Sequence, residues 1–282
     1  MPGADQPALA GARLAFIGAG VMAEAMIAGL LKHGLVSPGQ VVASHPRADQ
    51  RHRLRERLGI ETVEENVAAA TGADLVLLTI KPQVQAGVMR QLHGKLEPRQ
   101  VAASVIAGAS IGTLGRGLGH RAIVRIMPNT PAQIGDGMSV WTATPEVDEA
   151  QRERVKLILG ALGEELWVED EKYVDMATAL SGTGPTYVFL MMEALIDAGV
   201  HMGFPRRIAE RIVLQTVAGS ANFAKASGKH MAELRNMVTS PGGTSADAIY
   251  QMEKGGLRTV YSRAVYAAYQ RTQALGAAQD DD

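Results

Sequence analysis

The chain has 282 residues, a formal net charge of −1 and 46% hydrophobic residues. That supplies a core for one large domain or two ordinary ones, and the near-neutral balance excludes the basic surface of a nucleic-acid-binding protein. Cysteine is absent, which excludes disulfides and thiol chemistry and suits a cytoplasmic location, and the seven histidines fall at no metal-binding spacing.

The residues up to about Gly11 are rich in Ala, Pro and Gly and lack the basic start and apolar run of a signal peptide, so they read as a frayed leader. The first apolar run, Arg13-Leu14-Ala15-Phe16-Ile17, has the length of a buried strand. It runs straight into Gly18-Ala19-Gly20-Val21-Met22-Ala23, and a helical pattern follows to Leu31 before Gly34. That is the G-x-G-x-x-A form of a dinucleotide-binding turn. Gly18 makes the tight turn, Gly20 admits a pyrophosphate to the backbone, and Ala23 lets helix and strand pack closely. Ala19, Val21 and Met22 complete the turn at the positive end of the helix.

The next strand, Val41-Val42-Ala43-Ser44, ends in His45-Pro46-Arg47, without the acid that binds a ribose 2′-hydroxyl. A hydroxyl, an imidazole and a guanidinium at Ser44, His45 and Arg47 suit a 2′-phosphate, so NADPH is expected, with NADH left open. The alternative is that Arg47 only begins a basic, solvated helix continued by Arg51, Arg53, Arg55 and Arg57. Asn66 then precedes the strand Asp74–Ile80 and is expected toward the adenine. Ile80, Lys81 and Pro82 close that strand at its carboxyl end, where open α/β sheets bind ligands. Strands at 101–105 and 123–127 end in Ala107-Gly108-Ala109-Ser110 and Pro128-Asn129-Thr130-Pro131. Met138–Trp141 and Glu165–Val168 read as closing strands, with a helix from Pro145 to Leu159 between them. Strands alternating with helices indicate a doubly wound sheet.

The pattern changes near residue 175, and we divide the chain into 1–174, a dinucleotide-binding domain, and 175–282, an all-helical domain. Ser181-Gly182-Thr183-Gly184-Pro185 starts a helix to about Val200 that is apolar nearly all round, as a deeply buried or intersubunit helix would be. Pro205 opens a second helix to about Ser227. Ser240-Pro241-Gly242-Gly243-Thr244-Ser245 is a tight loop opening a third, with backbone N–H groups and hydroxyls at its positive end, a setting for a carboxylate. The plainer reading of this loop is a Pro-Gly turn with a Ser or Thr N-cap. Gly255-Gly256 turns into a last helix to about Leu275, and Gln279–Asp282 is an acidic, solvated end. No apolar run reaches the length of a membrane span.

Taken together these segments resemble pyrroline-5-carboxylate reductases from about Arg13 to Leu275. The most specific is Val238–Ser245 with Gly255-Gly256-Leu257-Arg258; Ile80–Gln83, Met127–Pro131, Leu180–Pro185 and Met202–Arg207 agree in order and spacing. The resemblance implies a Rossmann domain followed by a helical dimerisation domain, a homodimer often assembled into a decamer, and reduction of L-1-pyrroline-5-carboxylate to L-proline by NADPH or NADH. It implies that Gly242, Gly243, Thr244 and Ser245 bind the substrate carboxylate near the imine nitrogen; we expect Ser240 to share in that loop, Ser245 or Thr244 to hydrogen-bond the nitrogen, and the nicotinamide to lie near Asn129 and Ala107. Two positions depart from the family pattern. Ser245 stands where Thr is usual, keeping the hydroxyl without the β-branch that stiffens χ1, and Val21 stands where Asn or Gln is common. One rival is a related imine reductase or a β-hydroxyacid dehydrogenase, though the latter needs a base, often Lys, and residues 186–200 offer only Tyr187, Glu193 and Asp197 as ionisable groups. The other is a nucleotide sensor without turnover, which would have no need of the 240–245 loop.

Overall fold

The computed structural model describes residues 9–280, so the first eight residues of the expected leader and the final Asp281-Asp282 lie outside the described residues. In chain order the first part contains β1 (Leu14–Ile17), α1 (Val21–Lys32), β2 (Val41–Ser44), α2 (Ala48–Leu58), β3 (Glu61–Val63), α3 (Asn66–Ala70), β4 (Leu75–Leu78) and α4 (Gln85–Leu92). It continues with β5 (Val101–Ser104), α5 (Ile111–Leu118), β6 (Ile123–Met127), β7 (Gly137–Ala143), α6 (Glu149–Gly160), β8 (Gly163–Trp167) and α7 (Lys172–Ala177). The helical part holds α8 (Gly184–His201), α9 (Arg206–Ser227), α10 (Met231–Met237), α11 (Thr244–Lys254) and α12 (Leu257–Asp280).

The strands form one eight-stranded sheet in the order β3-β2-β1-β4-β5-β6-β7-β8. All neighbours are parallel except β6 and β7. The strand order reverses between β1 and β4, the switch point where doubly wound sheets bind nucleotides. Alternate residues of each strand feed two cores, as a period of two requires. Leu14 and Phe16 of β1 join α1 and Trp141 on one face, while Ala15 and Ile17 join α3, α4 and α5 on the other. The helix expected from Pro145 begins at Glu149, because Asp148 caps it in a reciprocal box with Gln151.

Two compact units are resolved, one comprising the chain up to Thr183 together with the residues from Ala268, the other Gly184–Ala267. Within the second unit α8 and α9 pair closely: a Cβ added at Gly199 would meet Ala209 Cβ at 3.1 Å, and Arg206 pairs with Asp197 at 2.6 Å. None of the residues of α8 is buried; Phe189 and Leu190 are 59% and 65% exposed. A helix this apolar and this exposed within one chain presents a surface for a partner. No helix among the described residues is long and apolar enough to cross a membrane.

Candidate active site

The glycine turn is held from three sides. Ser44 O accepts the N–H groups of both Gly18 and Ala19, at 3.1 and 3.0 Å. The Thr79 hydroxyl donates to Ile17 O and Gly18 O, and the buried Gln50 amide donates to Ala19 O at 2.8 Å. Gly18 has φ +92°, and a Cβ there would lie 2.4 Å from Ile80 Cγ2. Gly20, the residue before α1, has an ordinary extended backbone and open space where a Cβ would stand. No side chain caps α1. The first-turn N–H groups, from Val21 and Met22 onward, therefore face a cradle that a Cβ would fill, which fits a pyrophosphate. The Ala19 amide itself is spent on Ser44.

A cleft of about 510 Å³ opens over this turn. Of the expected cofactor residues, Gly18, Gly20, Ser44, His45, Asn66, Ile80 and Lys81 line it; Ala19, Val21, Met22, Arg47, Pro82, Ala107 and Asn129 do not, although the cleft includes Pro46. Ser44 Oγ donates to Asn66 Oδ1 at 2.7 Å, and Asn66 Nδ2 donates to Gln91 Oε1 at 2.7 Å, so the Asn66 amide is oriented from both ends. The Arg47 N–H donates to His45 Nδ1, which leaves Nε2 as the protonated nitrogen of the neutral ring. Partial burial first, and the Arg47 guanidinium next, hold the His45 pKa below its ordinary value. Arg47 itself is exposed and pairs with Asp49, at 3.3 Å. A second cleft, about 490 Å³ between α4 and α5, contains none of the glycine turn.

The arginines that follow do not form a merely solvated face. Arg53 and Arg57 both pair with Glu24, in the first turn of α1. Arg55 donates to the Thr62 hydroxyl. Arg51 donates to the backbone oxygens of His45 and Pro46 and to Glu64. Each therefore ties α2 to a neighbouring element. Glu64, Glu65, Thr79 and Gln91 also line or anchor the cleft, and sequence reading missed them. Thr79 alone carried a signal, a hydroxyl at the carboxyl end of a central strand.

At the carboxyl ends of β5 and β6 lie Ala107 and Asn129. Asn129 Oδ1 accepts from the Met138 N–H at 2.9 Å and its Nδ2 donates to Ser181 Oγ at 3.2 Å. Ser181 sits in a π-helical turn, Thr178–Gly182, an irregularity frequent at functional sites. The 107–110 loop is braced by Glu171, whose Oε1 accepts from the Ile111 N–H and from the buried Arg125. Gly108 lies against the backbone of Leu275 and Gly276.

In the helical unit, α11 begins at Thr244 with Gly243 as its N-cap and no capping side chain. The plainer reading holds for its Pro-Gly turn, closed by the Gly243 N–H on Ser240 O, and fails for its Ser or Thr N-cap. Gly242 has φ +70°, a left-handed backbone that strains any residue with a Cβ, and a Cβ on Gly243 would lie 2.5 Å from Ser240 Oγ, so a side chain there would displace the Ser240 hydroxyl. Gly243 N–H donates to Ser240 O and Ala246 N–H to Gly243 O, while Thr244 and Ser245 carry first-turn N–H groups and hydroxyls together.

Two family models match: pyrroline-5-carboxylate reductase dimerisation over residues 171–275, and NADP oxidoreductase, coenzyme F420-dependent, over residues 13–108. The chain is 42% identical over 264 residues to the pyrroline-5-carboxylate reductase of Pseudomonas aeruginosa, covering 93% of this chain and 96% of that protein. The chain belongs to the pyrroline-5-carboxylate reductase family. A pea member, from Pisum sativum, is 37% identical, covering 93% and 95%. Among solved structures, a pyrroline-5-carboxylate reductase from Coxiella burnetii matches with TM-score 0.87 and 34% identity, covering 94% of this chain and 98% of that one. The Plasmodium falciparum pyrroline carboxylate reductase with NADP bound matches with TM-score 0.86 and 29% identity, with the same coverage. The chain is an NAD(P)H-dependent oxidoreductase with a Rossmann domain and a helical dimerisation domain that supports oligomer formation.

Proposed function

We infer that the chain reduces L-1-pyrroline-5-carboxylate to L-proline, the last step of proline biosynthesis. The observation that carries this is the start of α11: a helix N-terminus with no capping side chain, two hydroxyls, and no ionisable group from Ser240 until Asp247. That arrangement suits a carboxylate next to a basic nitrogen. A cyclic imine is more basic than a ketone and arrives protonated, so a strong protein acid is not required. Bound NADPH supplies the hydride that the imine carbon accepts. The N–H groups around Gly242–Ser245 hold the substrate carboxylate, with Ser240 shaping the turn beneath them, and the hydroxyl of Ser245 or Thr244 hydrogen-bonds the imine nitrogen. The N–H groups of Val21 and Met22 hold the pyrophosphate. Ser44, His45 and Arg47 take the 2′-phosphate, with Asn66 toward the adenine. Ile80, Lys81 and Pro82 flank the central ribose, and Ala107 and Asn129 face the nicotinamide. Catalysis is then positioning and electrostatics in a prepared site.

Residues 1–174 form the dinucleotide-binding domain on this reading, and residues 175–282 bind substrate and dimerise. The exposed apolar faces of α8 and α9 support a homodimer, and assembly of dimers into a decamer is part of the same proposal. A cytoplasmic location is proposed on the absence of cysteine. The test follows consumption of NADPH and of NADH with L-1-pyrroline-5-carboxylate, together with proline formation. Proline-forming turnover, faster with NADPH, is expected. Tight NADPH binding without turnover would refute the substrate assignment.

A further inference from the structure

Arg51 sits in an unfavourable place for a cation. It follows the start of α2 by one turn, where the helix macrodipole favours acids. Its side chain is nonetheless only 16% exposed, and both terminal nitrogens of its guanidinium are engaged. Nη1 donates to His45 O at 2.6 Å and to Pro46 O at 2.8 Å, while Nη2 pairs with Glu64 at 2.9 Å. His45, Pro46 and Glu64 all line the dinucleotide cleft. The fork therefore shapes the loop that carries the hydroxyl–imidazole–guanidinium trio and sets a cation against an acid on the cleft wall that is itself 62% exposed. Left unpaired, Glu64 would repel a 2′-phosphate carrying nearly two negative charges and would accept a hydrogen bond from a free ribose 2′-hydroxyl.

We propose that Arg51 sets the preference for NADPH over NADH as a positioning residue, by holding the His45–Pro46 backbone and masking Glu64, without touching the phosphate. Only the flat fork of arginine spans two carbonyls and a carboxylate at once; a lysine carries the charge without that geometry. The inference rests on the 2′-phosphate end of the cleft lying at Ser44–Arg47.

The test measures calorimetric binding of 2′,5′-ADP and of ADP to the full chain, bypassing turnover. Arg51→Met is expected to weaken 2′,5′-ADP by about fivefold, with ADP within about twofold of wild type, a loss scaled to the screened repulsion of a partly exposed carboxylate together with the freed loop. Arg51→Lys should lose most of that selectivity despite keeping the charge, and Arg51→Met/Glu64→Gln should recover about threefold or more. Equal weakening of both nucleotides would make Arg51 merely structural. Full selectivity in Arg51→Lys would reduce its role to charge, and no recovery in the double variant would remove Glu64. Any of these overturns the proposal. Should the Arg51 variants fail to fold, Glu64→Gln alone decides: it should leave 2′,5′-ADP binding as tight as wild type or tighter, and weaker binding would overturn the masking. Wild-type protein that binds neither nucleotide would sink the cofactor reading of the cleft itself.

Discussion

The two glycines of the first turn make opposite predictions. Gly18→Ala places a methyl 2.4 Å from Ile80 Cγ2 and 3.2 Å from Ile80 Cα, at φ +92°. The backbone strain costs about 1–2 kcal/mol and the overpacking about 1–3, so a loss of about 3 kcal/mol is expected. In a protein of this size that lowers Tm by roughly 6–12 °C. Gly20→Val meets no heavy atom within 4 Å of its Cβ, at φ −87° and ψ −167°. That backbone suits a β-branched residue, so the fold should lose less than about 1 kcal/mol. The valine nevertheless fills the space in front of α1, separating a pyrophosphate from its N–H donors. Charge-assisted hydrogen bonds contribute about 1.5–3 kcal/mol each, and loss of one or two weakens NADPH by roughly 10²-fold. Scanning fluorimetry gives the first quantity and titration of NADPH fluorescence the second. Gly20→Val protein that binds NADPH like wild type would show that the pyrophosphate does not pass over Gly20. Gly20→Val protein that melts as early as Gly18→Ala would show that the open space does not exist.

Other predictions address the chemistry and the frame. Ser245→Ala should lower kcat by roughly 10–10²-fold, the range for a lost transition-state donor, while the NADPH Kd changes less than about twofold; unchanged turnover removes Ser245 from the mechanism. Arg125 is 2% exposed and pairs with both Glu171 and Asp175. Arg125→Ala leaves Asp175 without its cation and Glu171 with the Ile111 N–H, both acids partly exposed, and should cost about 2–4 kcal/mol in urea unfolding, with Arg125→Met milder for its better packing; a loss under about 1 kcal/mol would mean that water already solvates the pair. The lowered pKa of His45 means that the folded chain binds fewer protons there than the unfolded one. Stability without cofactor should therefore rise with pH up to the ordinary value near 6.5 and gain nothing from His45 above it. His45→Gln should flatten part of that slope in melts between about pH 5 and 7, and parallel slopes would refute the assignment.

The reach of local pattern is clear from the elements it found and those it missed. Strands β1 and β4 are short, wholly buried apolar runs ending in turn residues, and β6 is another broken only by Arg125, so their composition and punctuation announced them. β3 is three residues, Glu61-Thr62-Val63, at the sheet edge, too short and polar to show a period. α10 is seven residues with its start capped by the His230 imidazole, a signal outside the usual Ser, Thr, Asp and Asn set.

The glycine turn and the hydroxyl loop were legible because each needs special backbone geometry, and only Gly, Pro, Ser and Thr meet that need locally. Only the folded chain could distinguish one arginine of α2 from the next. Arg51, Arg53, Arg55 and Arg57 look alike along the sequence, yet one holds the His45 and Pro46 carbonyls, two pair with Glu24 and one holds Thr62. Their partners lie on other elements, up to 33 residues away. A charge acquires its role from whatever packing brings within hydrogen-bond reach, and that information is not local to any stretch of chain.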